Sequence, residues 1–284
     1  MGNRSRVLGK ILVLALALMA ILVLSFVVVM GYQMARMEAE SYNSVYGYEM
    51  MISTTEPIEN VVLLLPVPAY YNETTGRNET VLNLSMVSCT NIDPEQVTLT
   101  IDDVGGVPML NISADRIEPL YKNRIEPIPI MPGQNESELP EPTHIYSNRS
   151  SEETPLLLAM EMHMYLSGVD HDIDTRSPLG TEPLFMPYTV LGTITADTGI
   201  LTEEGYYLSE GSTGYFVEVP FVLSYDAAGA NVLSISCLFE GRNEWWVLGW
   251  QGNSYRERLS LEHTGPAEGT YPVRGVIITG DGVY

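Results

Sequence analysis

Residues 215–225 read YFVEVPFVLSY. Val217, Val219, Phe221, Leu223 and Tyr225 alternate with Glu218, Pro220 and Ser224. A period of two puts the apolar set on one face of an extended chain, the signature of a half-buried β-strand. Pro220 has no N–H to give a ladder and predicts an edge position. The same rhythm recurs on both sides. Tyr255, Glu257, Leu259 and Leu261 alternate with Arg256, Arg258, Ser260 and Glu262, and Leu233, Ile235, Cys237 and Phe239 share a face. Further strands are predicted over 156–166, 188–195, 245–250 and 273–279, separated by Gly, Asn and Asp turns. Spacing of this kind is that of an antiparallel sandwich or barrel.

Upstream, residues 61–65, 81–87, 97–101 and 107–113 read as strands, with Asp102-Asp103-Val104-Gly105-Gly106 as a turn. Between the two β-rich parts, 58–116 and 156–284, residues 117–155 carry seven prolines and a short duplication, Arg116-Ile117-Glu118-Pro119 and Arg124-Ile125-Glu126-Pro127. That composition predicts an extended linker or a long surface loop. Residues 58–284 are then either one composite domain or two. The expected fold class is mainly β, an antiparallel β-sandwich-like ectodomain on one N-terminal transmembrane helix.

The helix is read from residues 11–30, ILVLALALMAILVLSFVVVM, which hold no charge. Twenty helical residues reach about 30 Å, the thickness of a bilayer's hydrocarbon core. With Tyr32 at the aromatic interface, the span is taken as 11–32, and 33–57 as a stalk. Arg4, Arg6 and Lys10 precede the run, so residues 1–10 are expected inside the cell and the rest outside. A cleaved signal peptide is the competing reading. Its apolar core would be shorter and followed by a small-x-small site, whereas Ala35 and Ala39 are wrongly spaced for one.

Six Asn-x-Ser/Thr triplets lie beyond the membrane, at Asn72, Asn78, Asn83, Asn111, Asn135 and Asn148, where chance predicts about two. Turn-forming Asn and Ser account for some of the clustering, and glycan attachment accounts for the excess. The chain has 36 acidic residues, all after the span. Taking Arg4, Arg6 and Lys10 from the 14 basic residues leaves 11, so the ectodomain carries a net charge of −25. Such a surface repels nucleic acid and anionic lipid and stays soluble in salt.

Two cysteines, Cys89 and Cys237, are expected to form a disulfide closing a loop of roughly 150 residues if they face each other outside the cell. Two free thiols are the alternative, because regular alternation from Leu82 turns Cys89 away from the apolar face. Asp170, Asp172 and Asp174, flanking His171 and near His163, form the densest group of ligand-type residues and a candidate Ca²⁺ site. The EF-hand pattern fails, since Thr175 stands at position six and Thr181 at position twelve, and an Asp-rich turn is the plainer reading. Trp245, Trp246 and Trp250 put indoles on both faces of one predicted strand. One face must be core, so most of the cluster reads as packing. The alternative is one ring exposed as a platform for a sugar or a protein, with Arg256 and Arg258 beside it more readily paired to carboxylates than binding an anion. No Gly-x-Ser-x-Gly, Ser-x-x-Lys, Cys-x-x-Cys or phosphate-cradling loop is present.

The strings Glu59-Asn60-Val61-Val62-Leu63-Leu64-Leu65-Pro66-Val67-Pro68 and Gly106-Val107-Pro108-Met109-Leu110-Asn111-Ile112 are similar to segments of uncharacterised, membrane-anchored archaeal surface proteins. The resemblance covers little of the chain and implies location, not activity. Leu8-Gly9-Lys10 departs from the charged residue that precedes the cut in archaeal type IV pilins, which counts against a filament subunit. The sequence therefore favours a non-enzymatic, membrane-anchored extracellular glycoprotein in contact with the lipid bilayer and with a cell-surface protein or glycan. A membrane-tethered, cation-dependent hydrolase or carbohydrate-binding protein is the alternative.

Overall fold

The computed structural model describes residues 2–93, 95–124, 132–133, 135, 145–202 and 205–284. A 40-residue helix, α1 (Gly2–Ser41), leads through Tyr42 alone into a curved antiparallel sheet that forms a half-barrel. Eleven strands build the sheet: β1 (Asn43–Thr54), β2 (Ile58–Pro66), β3 (Ser88–Thr90), β4 (Thr98–Val104), β5 (Val107–Ile117), β6 (Met160–Ser167), β7 (Thr189–Thr195), β8 (Thr213–Ala227), β9 (Val232–Trp246), β10 (Trp250–Thr264) and β11 (Ala267–Gly282). Their order is β3-β6-β1-β9-β10-β11-β8-β2-β5-β4, with β7 also paired to β8. Strands from both β-rich parts interleave in this one sheet.

The long meander β8–β11 follows the alternation of its sequence. Val217, Val219, Phe221, Leu223 and Tyr225 are buried, as are Leu233, Ile235, Cys237, Phe239, Tyr255 and Leu259. Pro220 is not at an edge. It sits opposite Pro272 of β11, where β8 is not yet paired to β2 (that ladder starts at Val222) and β11 is no longer paired to β10 (which stops at Gly275). The missing N–H groups therefore break no third-strand ladder. Between β10 and β11 the contact is close enough that a Cβ on Gly275 would meet the backbone oxygen of Arg258, which explains glycine in mid-strand.

The predicted stalk is corrected. Residues 43–54 form β1, a central strand between β6 and β9, with Tyr46, Tyr48, Met50 and Ile52 buried. Four apolar side chains at period two give this segment a core face, so it packs instead of spacing the body from the membrane. Residues 81–87 contain a short 3-10 turn at Leu84–Met86 rather than a strand. Asn83 starts that turn by accepting from the Ser85 backbone N–H. At the base of the Pro-rich stretch, Leu156–Leu158, Leu120–Lys122 and Tyr146–Ser147 pair into a small sheet, which brings the described ends of that stretch together. Residues 125–131, 134 and 136–144 of it lie outside the described residues.

Into the hollow of the half-barrel fold residues 168–187, which bring Ile173, Leu184 and Phe185 to full burial. Phe185 stands edge-on to Tyr48 and Phe239 at 6.3 Å, and Phe239 stacks on Tyr46 and meets Tyr255. This aromatic cluster lies where β1, β9 and β10 face the inserted loop.

Candidate functional site

Two places gather unusual chemistry, and both lie toward the end of the sheet where α1 joins. The first is a cleft of about 510 Å³ lined by Tyr46, Tyr70, Asp170, His171, Thr181 and Glu182 among others. Strand β1 supplies Tyr46, the short strand Pro68–Asn72 supplies Tyr70, and the inserted loop supplies Asp170, His171, Thr181 and Glu182. Paired side chains at the ends of β9 and β10 hold that loop down. Asn243 Oδ1 accepts from the Ile173 N–H and from Ser44 Oγ, and its Nδ2 donates to Ile173 O and to Asn253 Oδ1. Thr175 Oγ1 donates to Asn253 Oδ1 in turn. These buried amides meet the backbone at Ile173, a stretch of the loop outside its own short ladder (Leu184 and Phe185 with Ala69 and Pro68), as a buried polar segment requires.

Glu182 is the centre of the cleft. It is buried, and accepts from Tyr46 Oη at 2.6 Å and from the Asp174 backbone N–H at 2.8 Å. His171 stands between two carboxylates, Nδ1 3.2 Å from Asp170 and Nε2 3.4 Å from Glu182. Partial burial opposes its charge, but the hydrogen bonds to Asp170 and Glu182 outweigh that and raise its pKa above the usual value. Only the imidazolium can donate from both nitrogens, so the geometry and the shift agree. Burial, followed by the hydrogen bond to Glu182, pushes the Tyr46 phenol well above its ordinary pKa. The arrangement offers a cation, a buried carboxylate behind it and the half-buried ring of Tyr70, which is chemistry for holding a polar ligand by hydrogen bonds and stacking.

The candidate Ca²⁺ ligands do not converge. Asp170 is fully exposed beside His171, Asp172 lies against the Tyr42 hydroxyl, and Asp174 accepts from the backbone N–H groups of Arg176 and Ser177. Among the described residues no three His, Cys, Asp or Glu side chains gather as a metal site. Asp174 is spent on its own turn, the ordinary use of Asp in a loop, and this corrects the cation-site expectation. Burial and Asp172 together raise the Tyr42 phenol to about 12.

Directly behind the cleft lies a group that sequence reading passed over. Glu257 has no exposure; its Oε2 accepts from the Phe185 N–H at 2.7 Å, and its Oε1 has no partner. Burial raises its pKa to about 8, against the pull of that backbone hydrogen bond. The signal was present in the alternation, since Glu257 falls on the apolar face with Tyr255 and Leu259. Glu182 had no comparable signal, because its partners come from 136 residues upstream and from the adjoining loop.

The second place is the turn from β9 to β10. Residues 245–250 are not one strand but a hairpin, with Trp246 opposite Trp250 and residues 247–249 as the turn. The two indoles meet edge to face at 5.6 Å. Trp246 is 42% exposed, Leu248 70% and Trp250 66%. Trp245 instead stacks on Tyr42 at 5.9 Å. Perpendicular rings give no flat platform, and of the neighbouring cations Arg256 is taken by Asp281 while Arg258 is exposed on β10.

The cysteines are both free. Cys89 on β3 pairs with Met162, Met162 with Met50, and Met50 with Cys237 on β9, so β6 and β1 stand between them. At about 4.8 Å per strand the two Cα atoms are roughly 14 Å apart, twice what a disulfide spans, and the expected bond is not formed. Of the six sequon asparagines, Asn83, Asn135 and Asn148 are exposed, and Asn72, Asn78 and Asn111 half-buried. Asn111 donates to Asp102 from within β5. No known protein family, no curated protein and no solved structure matches the chain.

Proposed function

We propose that the chain is a single-pass membrane protein with its N-terminus inside, displaying a non-enzymatic, glycan-bearing β body outside the cell to contact a surface protein or glycan. One observation carries the membrane part. Helix α1 is long and apolar enough to cross a bilayer, and none of its most apolar window is buried against the body. So much apolar surface needs a solvent other than water, and a lipid core also satisfies the helix's closed backbone hydrogen bonding. The basic residues ahead of the span and the acidic body after it support the orientation. In native cells the chain should resist carbonate extraction, the body should be cut by external protease, and glycosidase should lower its mass. Recovery in the soluble cytosol would overturn the reading.

The cleft favours a second function for the same body, carbohydrate binding. Tyr70 offers a ring, and Glu182 and His171 offer hydrogen bonds in a space of sugar size. A glycan array probed with the full chain in detergent should show hits that His171→Ala abolishes; an array without hits removes this function.

A further inference from the structure

We propose that the β9–β10 hairpin tip, Trp246, Leu248 and Trp250, is a second membrane contact that seats in the headgroup layer of the bilayer spanned by α1 and fixes the body's tilt. The proposal rests on the single-pass reading above. Three independent observations point to it.

Placement comes first. Strand β9 runs antiparallel to β1, with Asn43 opposite Glu244. Continuing that register, Tyr42 stacks on Trp245, and Ser41 at the end of α1 accepts from the Trp246 backbone N–H at 2.7 Å. The end of β9 is thus latched to the last turn of the helix, and residues 247–249 project past it on the side from which α1 leaves. Helix residues 35–40 are exposed, so the body does not wrap the helix there.

Distance comes second. Ser41 lies eleven residues beyond Met30, about 16 Å along a helix. The headgroup layer takes up roughly 5–7 Å of that on each side of the hydrocarbon core. A three-residue turn reaches back about 5 Å. The indole and isobutyl side chains close the remaining gap, and an average helix tilt of about 20° narrows it further.

Backbone conformation is the third. Leu248 has φ +55°, a left-handed conformation that favours Gly or Asn, and its side chain touches no core. Gly249 stands next to it without a positive φ. A strained, exposed leucine at a turn is a cost to folding and marks a site where the side chain is needed outside the fold. Tryptophan is the residue of membrane interfaces, apolar across the ring and polar at its N–H. With an acidic body, the contact is apolar rather than electrostatic, so zwitterionic lipid is the fitting surface.

Full-length chain reconstituted in phosphatidylcholine vesicles tests this with two single-tryptophan forms. Trp245→Phe with Trp246→Phe leaves Trp250; Trp246→Phe with Trp250→Phe leaves Trp245. Lipids brominated near the headgroup should quench Trp250, whose emission should lie to the blue of the same form in detergent, and should leave Trp245 unaffected. Leu248→Ser in the Trp250 form should weaken the quenching without changing circular dichroism. If the vesicles retain the chain after carbonate washing but Trp250 is quenched only by aqueous iodide, the tip contact is wrong and the span stands. A chain that does not float with vesicles removes both. Should Trp250 be shielded in detergent as well, with light scattering showing a dimer, the tip is a protein contact and the proposal falls.

Discussion

Strand β10 begins with Trp250, mostly exposed, and seven residues later carries Glu257, sealed in the core. One places a large apolar ring in solvent and the other a carboxyl among Tyr255, Phe185 and Cys237, so each inverts the ordinary partition of residues. They are held differently. Glu257 is fixed by register: β9 and β11 pair with β10 on its two sides, and moving Glu257 outward would turn Tyr255 and Leu259 out with it. Trp250 is held by the last pair of the hairpin, opposite Trp246, and by the three-residue turn that closes it. A polar group can be trapped inside by its apolar neighbours, whereas nothing in the fold retains an apolar group outside. The exposed end of β10 therefore needs an explanation from beyond the body, and the buried middle finds its own within.

The largest test of this contrast empties the interior. Phe239→Ala removes the ring against which Tyr46, Phe185 and Tyr255 pack, and should cost about 3–5 kcal/mol in denaturant unfolding. A small cost would mean a loose interior, and the raised pKa of Glu257 would lose its cause. Trp250→Ala, by contrast, should leave unfolding in detergent nearly unchanged.

Next in size is the titration of Glu257. Its folded pKa of about 8 lies above the ordinary 4.5, so between those values the folded state holds a proton that the unfolded state has released. Stability should then fall as pH rises from about 5.5 to 8, by at most about 1.4 kcal/mol per pH unit. Glu257→Gln should flatten most of that slope. His171, whose folded pKa is also raised, contributes stability that is full below its unfolded pKa and lost above, in the same direction. It is half exposed, so its share is smaller and should appear as the slope remaining in Glu257→Gln. A wild-type melting profile flat over this window would contradict the burial of Glu257 as a neutral acid.

A smaller effect is expected at the polar pin of the cleft. Asn243→Ala leaves the Ile173 N–H and C=O without their partner and should cost about 1–3 kcal/mol. It should also speed hydrogen exchange across residues 168–187 while sparing β8 and β11. Uniform loss across the sheet would show that the inserted loop is part of the core's cooperative unit and not a layer added to it.

Legibility in the sequence followed the same divide. Long strands with strict alternation, β8 to β10 above all, were readable because one face is core and register admits no slip. Period two was equally present in β1, in Tyr46, Tyr48, Met50 and Ile52. It was missed because the strand starts one residue after a membrane-length helix and a spacer is the usual occupant of that place. The hairpin at 247–249 was hidden because its positive φ falls on Leu248, a residue that carries no turn signal, so 245–250 read as one strand. Cys89 and Cys237 show what alternation can and cannot supply: it buried Cys237 correctly, but only the strand order puts β6 and β1 between the two thiols. The cleft was legible in part. Its Asp-rich loop stood out, yet Glu182 acquires its role from Tyr46, and no local pattern links the two.

The smallest predicted effect separates the two ends of β10 most sharply, because it has opposite signs for folding and for membrane contact. Leu248→Asn relieves a left-handed leucine and should stabilise the body in detergent by about 0.5–1 kcal/mol, since Asn tolerates that conformation and Leu does not. In vesicles the same change should release Trp250 from lipid quenching, because the tip loses its aliphatic wedge. Stabilisation with loss of contact is the mark of a residue kept for what it touches outside the fold. If Leu248→Asn lowers stability instead, the leucine is serving the turn itself, and the exposed end of β10 is explained from within after all.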